Sequence, residues 1–361
     1  MKRFLLFLAL VGMVSAVPLL AHAATDTQLV VIGSLLAVNA FLQTPISYNL
    51  GNAINITELA TNLGAYYREH RDVLVAEMLL SEEFSDRYEV MDDVGDELPL
   101  PNLAIADIVR PADPVNFTPT SNALAFGSRT LKVRGMKVDL LLIPEVLQKT
   151  WLGKMKSPQD VMDMPFEAFV MDYIAQKVRE NIWTKALYLG VYNANGTTPG
   201  ATMNGWLKII ADAITATQIT PVVTGATTAT NVIDNIEAVY DSLGEAYKNS
   251  TGEIKVKPQI FDWYNRRYRG LYGGNNNYEG MKKGRILLDG TNWEIVRDPG
   301  LGSSNRIIAT PKANQVLGVN GPSMTFDFQK ENRSLKILGD FKAGVEFKEI
   351  HARALAVNDQ A

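Results

Sequence analysis

The residues with the strongest chemical character form a short basic and aromatic stretch in the second half of the chain. Its members are Trp263, Tyr264, Arg266, Arg267, Tyr268 and Arg269. Aromatic rings interleaved with arginine can stack on nucleic-acid bases and neutralise phosphates, and the same residue types are enriched at protein interfaces. The chain holds 35 Lys and Arg against 39 Asp and Glu, a formal net charge of -4. Because bulk positive charge is absent, we favour a protein interface or a structural helix end over nucleic-acid contact.

A second set of basic residues lies on a stretch with the periodicity of a β-strand. Apolar residues alternate there with polar ones, and the basic members are Arg129, Lys132, Arg134 and Lys137. Alternation with period two predicts a half-buried pair of strands between residues 129 and 143. The alternation slips at Gly135, which predicts a bulge.

Residues that could serve catalysis are few and scattered. The chain has no Cys and only three His, at His22, His70 and His351, without the spacing of a metal site. The Gly-x-Ser-x-Gly and Gly-Lys-Ser/Thr patterns of hydrolases and phosphate-binding loops are absent. Gly300 and Gly302 lack the third glycine and the following helix of a dinucleotide loop, so they predict a plain turn. The sequence therefore predicts no enzyme, no metal site and no cofactor.

An acidic set follows the first predicted helix. It comprises Glu82, Glu83, Asp86, Asp92, Asp93, Asp96 and Glu97. The spacing is not that of a calcium-binding loop. We therefore expect a solvated surface or an ion-pair partner for another subunit.

Length and composition indicate a folded protein with one elaborated domain or two domains. The 361 residues are 47% hydrophobic and 20% charged, enough apolar material for a substantial core at roughly 100 to 200 residues per domain. The absence of Cys excludes a disulfide scaffold and thiolate zinc sites.

The first 23 residues have the layout of a secretory signal. Lys2 and Arg3 precede an apolar run, and the small residues Ala21 and Ala23 follow at the positions before a cleavage site. A second uncharged run at 29–41 is shorter than the roughly 20 residues that span a bilayer. We therefore predict a packed element there and no stable membrane span.

Two long helices and a β-rich end organise the remainder. Apolar spacing predicts a helix over 55–80 with Asn55 as its cap, and a second over 165–189. Five prolines between 99 and 119 predict an extended excursion between them. Thr230 is expected to cap a further helix. Strands are predicted near the end, with turns at Asn332 and at Gly339 and Asp340.

Four phrases of the sequence resemble a known family. They are Arg129-Thr130-Leu131-Lys132-Val133-Arg134, Pro165-Phe166-Glu167-Ala168-Phe169 at the start of a long helix, Met203-Asn204-Gly205-Trp206-Leu207-Lys208, and Arg333-Ser334-Leu335-Lys336-Ile337-Leu338-Gly339-Asp340-Phe341 with Gly344-Val345-Glu346. Together they are similar to the major capsid proteins of tailed bacteriophages, whose Hong Kong-phage-type fold encapsulin shells share. The similarity covers roughly residues 45 to 357.

The resemblance implies an α+β capsid fold in named parts. After the signal-peptide-like segment at 1–23, which the resemblance does not account for, residues 24–98 would be the N-terminal arm and 99–143 an extended loop that overlaps a neighbouring subunit. Residues 144–204 would be a peripheral domain with a spine helix, 205–310 an axial domain, and 311–361 terminal strands that return to the peripheral domain. Some members of the family cross-link a loop Lys to an Asn of the next subunit. Lys132 and Lys137 lie in that region, but the sequence identifies no partner for them.

The implied function is self-assembly into the hexamers and pentamers of an icosahedral head around double-stranded DNA. Partners would be copies of the chain, a scaffold, a portal and a maturation protease, with DNA contacted only locally. The candidate contacts between subunits are Arg129, Lys132, Arg134, Lys137, Trp263, Tyr264, Arg266, Arg267, Tyr268 and Arg269. The implied location is the virion.

The signal-like segment supports a different hypothesis. A secretory signal has no place on a shell protein that assembles in the cytoplasm, so the alternative is an exported periplasmic or surface-layer protein with a binding or structural role. The excursion at residues 100–143 separates the two hypotheses. A shell protein needs this excursion to reach a neighbour, whereas a monomer should fold it back.

Overall fold

The computed structural model describes residues 55–105, 124–144, 166–273 and 284–360. The predicted signal segment, the arm before residue 55 and the middle of the predicted excursion lie outside the described residues. The described chain contains two five-stranded sheets and a two-stranded ribbon. Each five-stranded sheet has its own hydrophobic core.

Seven α-helices occur in the described ranges. They are α1 (Ile56–Leu79), α2 (Glu82–Ser85), α3 (Phe166–Asn181), α4 (Trp206–Thr215), α5 (Val232–Asp241), α6 (Glu245–Lys248) and α7 (Pro258–Tyr272). A single π-helical turn, Ile182–Ala186, continues α3. None of these helices has a stretch that is both long and apolar enough to cross a bilayer.

Twelve strands occur in the same ranges. They are β1 (Glu89–Met91), β2 (Glu97–Ile105), β3 (Leu124–Lys132), β4 (Arg134–Leu142), β5 (Gly252–Val256), β6 (Arg285–Leu287), β7 (Trp293–Arg297), β8 (Ile308–Thr310), β9 (Gln315–Val319), β10 (Thr325–Glu331), β11 (Ser334–Phe347) and β12 (Ala356–Val357).

The larger sheet is organised around β11. This strand pairs antiparallel with β10, with β4 and, through its last residues, with β9, while β1 pairs parallel with β9. The helices α1 and α3 pack against each other, and α1 also packs on β10. This helix pair on a sheet forms the larger core.

The helix α1 begins where its sequence predicts. The side-chain Oδ1 of Asn55 accepts hydrogen bonds from the backbone N–H groups of Thr57 at 3.2 Å and Glu58 at 3.5 Å, which satisfies donors that the first turn leaves free. Leu59, Leu63 and other residues at three- and four-residue steps are buried against the core. The predicted helix and its cap are confirmed.

The predicted second helix is also confirmed over most of its length. Phe169, Val170, Ile174 and Val178 form the buried stripe of α3, with the spacing of one helix face. The π-helical turn then inserts one extra residue per turn. It ends beside Tyr188, which is fully buried.

The smaller sheet has the order β12-β8-β5-β7-β6. The helices α5 and α7 contact each other; α5 lies over β8 and β12, and α7 lies over β7. Apolar side chains of both helices, including Ile236, Val239, Ile260 and Tyr264, close its core against Trp293.

The ribbon formed by β2 and β3 pairs with no other described strand. Its register runs from Glu97 opposite Lys132 to Ile105 opposite Leu124. A small cluster that includes Val94, Leu131 and Val316 buries the base of the ribbon against the larger sheet.

Four local predictions were wrong. The strands β3 and β4 do not pair with each other; β3 pairs with β2 and β4 with β11, and Gly135 is paired rather than bulged. The cap of α5 is Asn231, not Thr230.

The predicted turn at Gly339 and Asp340 is the interior of β11. A Cβ on Gly339 would lie 2.6 Å from the ring of Phe326, so this glycine makes room for the ring of the neighbouring strand. The true turn lies at Asn332, whose φ is 51°, as predicted. The turn at Gly300 and Gly302 is likewise confirmed, as a short 3₁₀ helix.

Candidate functional site: two basic surfaces and a buried polar cluster

The basic residues at the base of the ribbon have partners within the chain. Arg129 donates from Nη2 at 2.9 Å and from Nε at 3.2 Å to Oε1 of Glu346. Lys132 Nζ lies 2.9 Å from Oε1 of Glu97 across the ribbon. The larger sheet therefore holds the base of the ribbon by charge as well as by packing.

The two basic residues of β4 also contact residues of the same chain. Lys137 Nζ lies 2.6 Å from Asp139 Oδ2, and that hydrogen bond raises the pKa of the lysine. The Arg134 guanidinium lies over the ring of Tyr192 at 3.7 Å from its centroid, a cation–π contact. This basic row is therefore a set of intrachain contacts on one edge of the larger sheet.

The basic and aromatic stretch forms the helix α7. Pro258 occupies its first turn, where the missing N–H costs nothing. Tyr264 faces the core and is 1% exposed, and Trp263 is partly buried against the same core. The three arginines are exposed: Arg266, Arg267 and Arg269.

Three tyrosines form a ladder along α7. The rings of Tyr264 and Tyr268 stack with centroids 5.9 Å apart, and those of Tyr268 and Tyr272 are 4.9 Å apart. Burial raises the pKa of Tyr264, and the hydrogen bond from Tyr268 to Asp289 raises the pKa of Tyr268. Tyr264 and Tyr268 are therefore neutral at physiological pH, and the exposed positive charge of this helix surface comes from its arginines.

The structure does not bring the two predicted groups of contact residues together. The row from Arg129 to Lys137 belongs to the larger sheet and the ribbon, whereas the stretch from Trp263 to Arg269 belongs to the smaller core. If both contact neighbours, they do so at separate surfaces. A role in subunit contact stays a prediction for all ten residues.

A buried polar cluster around Asp298 was not predicted. Asp298 is 0% exposed and accepts four hydrogen bonds. Tyr88 and Tyr188 donate their hydroxyls to Oδ2 at 2.7 and 2.8 Å, and Trp183 Nε1 and Gly300 N donate to Oδ1 at 3.0 and 2.9 Å. The carboxylate therefore joins the segment after α1, the end of α3 and the smaller sheet.

Lys255 extends this cluster from the central strand of the smaller sheet. It is 0% exposed, and its Nζ donates to the carbonyl of Arg87 at 2.7 Å and to Gln315 Oε1 at 2.5 Å. Glu253 Oε2 lies 3.3 Å away. Burial lowers the pKa of Lys255 to about 8, against the opposing pull of Glu253. The cluster is a polar joint between the two cores.

No arrangement suited to catalysis accompanies this joint in the described chain. No group of three or more His, Asp or Glu among the described residues could hold a metal ion. An open cleft of about 510 Å³ lies between β4, the end of α3 and residues 192–202, and its charged lining consists of Lys137 and Asp139, which pair with each other.

Solved structures similar to this chain are viral and virus-like shells. A chain of the satellite phage P4 procapsid that includes the size determination protein aligns with a TM-score of 0.52 at 12% identity, over 80% of this chain and 98% of that chain. The capsid of the myovirus XM1 aligns at 0.47 and 13% identity, over 77% and 91%. A virus-like particle from Pyrococcus furiosus aligns at 0.45 and 9% identity, over 81% and 99%.

Sequence comparison adds no relative: no protein-family model and no curated protein matches this chain. The shared fold is therefore visible in structure and not in overall sequence. The alignment to the procapsid chain spans nearly all of that chain. The chain thus shares an α+β fold with this procapsid chain, as the resemblance of its phrases to phage capsid proteins predicts.

Proposed function

We propose that this chain is the major capsid protein of a phage head, a structural protein that assembles with copies of itself into hexamers and pentamers around double-stranded DNA. The observation that carries the proposal is the capsid fold over 80% of the chain. Self-assembly through repeated contacts closes a shell by symmetry and needs no active site.

The ribbon of β2 and β3 supports the proposal. Each strand has nine residues, about 30 Å at 3.3 Å per residue. A two-stranded ribbon is marginally stable by itself in water, and only the base of this one has a described apolar anchor, at Val94, Leu100, Leu131, Val133 and Val316. A neighbouring subunit that packs on the ribbon would offset the cost of ordering it.

The remaining parts of the proposal concern location and partners. In a virion, the chain would contact a scaffold, a portal and a maturation protease during assembly, and DNA only locally because the chain is acidic. The domain boundaries predicted from the sequence are part of the same proposal. Removal of residues 1–23 during maturation would reconcile the signal-like segment with a shell.

Electron microscopy of the purified chain tests the proposal. The full chain and a chain that starts at Ala24 are each purified at moderate salt and viewed in negative stain. We expect closed shells, or rings of five or six subunits. A uniformly monomeric protein at high concentration would refute the proposal and favour the exported binding or structural protein.

Shortening the excursion tests the role assigned to it. Deletion of residues 104–125 removes the distal part of the ribbon and leaves its buried base in place. We expect loss of assembly with an unchanged far-UV circular dichroism spectrum and an unchanged unfolding midpoint. Shells formed by the deleted chain would contradict the role of the ribbon in subunit contact.

A further inference from the structure

The helix α5 presents an acidic face to solvent. Asp234, Glu237 and Asp241 lie at steps of three and four residues, which places them on one side of the helix, and all three are exposed. Partial burial and then the charges of Asp234 and Asp241 raise the pKa of Glu237. Among the described residues, Asp241 has an ion-pair partner in Lys248 at 3.9 Å, whereas Asp234 and Glu237 form no ion pair. The face therefore keeps most of its negative charge.

The adjacent helix α7 presents the opposite charge. Arg266, Arg267 and Arg269 are exposed, and none of them forms an ion pair with a described residue. Leu271 and Tyr272 at the end of the same helix are 51% and 65% exposed. Arginine beside exposed aromatic and aliphatic groups is the composition of protein interfaces.

Most other charged groups singled out in the sequence are compensated within the chain. In the acidic set after α1, Asp96 pairs with Lys342 at 2.6 Å and Glu97 with Lys132 at 2.9 Å. In the basic row of the larger sheet, Arg129 pairs with Glu346. The faces of α5 and α7 differ from these surfaces because, apart from the contact of Asp241 with Lys248, their charges form no ion pair among the described residues.

The two faces lie on neighbouring helices over one sheet, and these helices contact each other. The sheet order is β12-β8-β5-β7-β6; α5 lies over β8 and β12, and α7 lies over β7. The smaller sheet with α5 and α7, here called the smaller body, therefore carries an acidic face on one helix and a basic face on the neighbouring helix. Copies placed head to tail bring unlike faces together at every contact, whereas like faces repel.

We propose that the smaller body binds a second copy of this chain head to tail, with the acidic face of α5 on one copy against the basic face of α7 on the next. The proposal rests on the proposed shell function and names the contact surface within it. A heterologous contact of this kind closes into a ring when its rotation permits, and each subunit in the ring uses both faces.

Charge reversal on each helix tests this contact. One variant carries D234K, E237K and D241K; the other carries R266E, R267E and R269E. We expect each variant alone to need at least about tenfold more protein to assemble than the unmodified chain, from three lost pairs and new repulsion. A matched variant with R266K, R267K and R269K keeps the charge and is expected to assemble normally.

Mixing the two reversed variants supplies the decisive measurement. One variant now has two basic faces and the other has two acidic faces, so alternating copies in the equimolar mixture regain unlike contacts in an even-numbered ring. Six-membered rings are expected by sedimentation velocity and electron microscopy, whereas a five-membered ring would keep at least one contact between like faces. Assembly of the unmodified chain is expected to weaken as salt rises, because exposed charges are screened within about 8 Å at physiological ionic strength. Circular dichroism checks that each variant is folded.

The outcomes separate this contact from the shell function itself. Reversed variants that assemble like the unmodified chain, or a mixture that stays unassembled, overturn the head-to-tail contact and leave the shell function standing. An arginine variant that assembles normally but no longer binds double-stranded DNA also overturns the head-to-tail contact, and it assigns the basic face of α7 to nucleic-acid binding. An unmodified chain that never associates overturns both proposals.

Discussion

Replacement of Asp298 by Asn tests whether the buried polar joint holds the two cores together. The substitution keeps the shape of the side chain and removes its charge. The indole N–H of Trp183 and the backbone N–H of Gly300 can only donate, so the amide oxygen of the substituted side chain is expected to face them and accept both hydrogen bonds. The new NH₂ group then faces the hydroxyls of Tyr88 and Tyr188, which donate to Oδ2 in the unmodified chain.

The magnitude follows from these two hydroxyl contacts. Each is a hydrogen bond to a charged acceptor, which contributes about 1.5–3 kcal/mol. The tyrosines can rotate to accept from the NH₂ group, but their own protons then need new acceptors in a buried site. With this partial compensation, we expect Asp298→Asn to lower the free energy of unfolding by about 2–4 kcal/mol. Asp298→Ala, which orphans all four donors, should cost more.

Urea unfolding of the unassembled chain, followed by tryptophan fluorescence, measures the effect. Trp183 and Trp206 both lie at the joint and report on it directly. Asp340→Asn on the exposed part of β11 is the control and should stay within about 0.5 kcal/mol of the unmodified chain. If Asp298→Asn is no more destabilising than this control, the joint does not contribute as described.

Three further predictions concern single features. Burial lowers the pKa of Lys255 to about 8, so the unfolded chain binds this proton more tightly than the folded chain. The free energy of unfolding should therefore rise between pH 8 and about pH 10, by at most about 1.4 kcal/mol per pH unit. Urea titrations at each pH measure this rise, and Lys255→Met should abolish it. Gly339→Ala should destabilise by about 1–3 kcal/mol, because its Cβ meets the Phe326 ring at 2.6 Å, and a parallel F326L variant should relieve part of that loss in thermal unfolding. The side chains of Arg129 and Glu346 are 28% and 14% exposed, and a double-mutant cycle between them should give a coupling energy of about 1 kcal/mol. A coupling energy of zero would mean that this ion pair does not stabilise the base of the ribbon.

The sequence predicted those elements whose signal is local. The cap at Asn55 and the apolar spacing of α1 and α3 are properties of neighbouring residues, so they are visible without a structure. The sequence wrongly predicted a turn at Gly339. In the sequence, a glycine that leaves space for a ring of a neighbouring strand, here Phe326, looks the same as a glycine in a turn. The pairing partners of β3 and β4 depend on distant strands, so alternation alone could not supply them.

The buried joint could not be predicted for the same reason. Tyr88, Tyr188 and Asp298 are brought together from three distant parts of the chain. One local signal is Asp298 before Pro299 and Gly300, the pattern of a cap at the start of a short helix. Lys255 in an apolar strand was a second signal, since a lysine that is fully buried needs partners.

The pairing of β11 has a consequence for how the chain is made. The strand β11 pairs with β4, which is synthesised early, and with β9 and β10, which are synthesised late. Pairings of such long sequence separation form slowly, because a large loop must close first. A ribosome must therefore translate almost the whole described chain before the larger sheet can close. A polypeptide interrupted before β11 lacks the central strand of that sheet, so it cannot form the larger core.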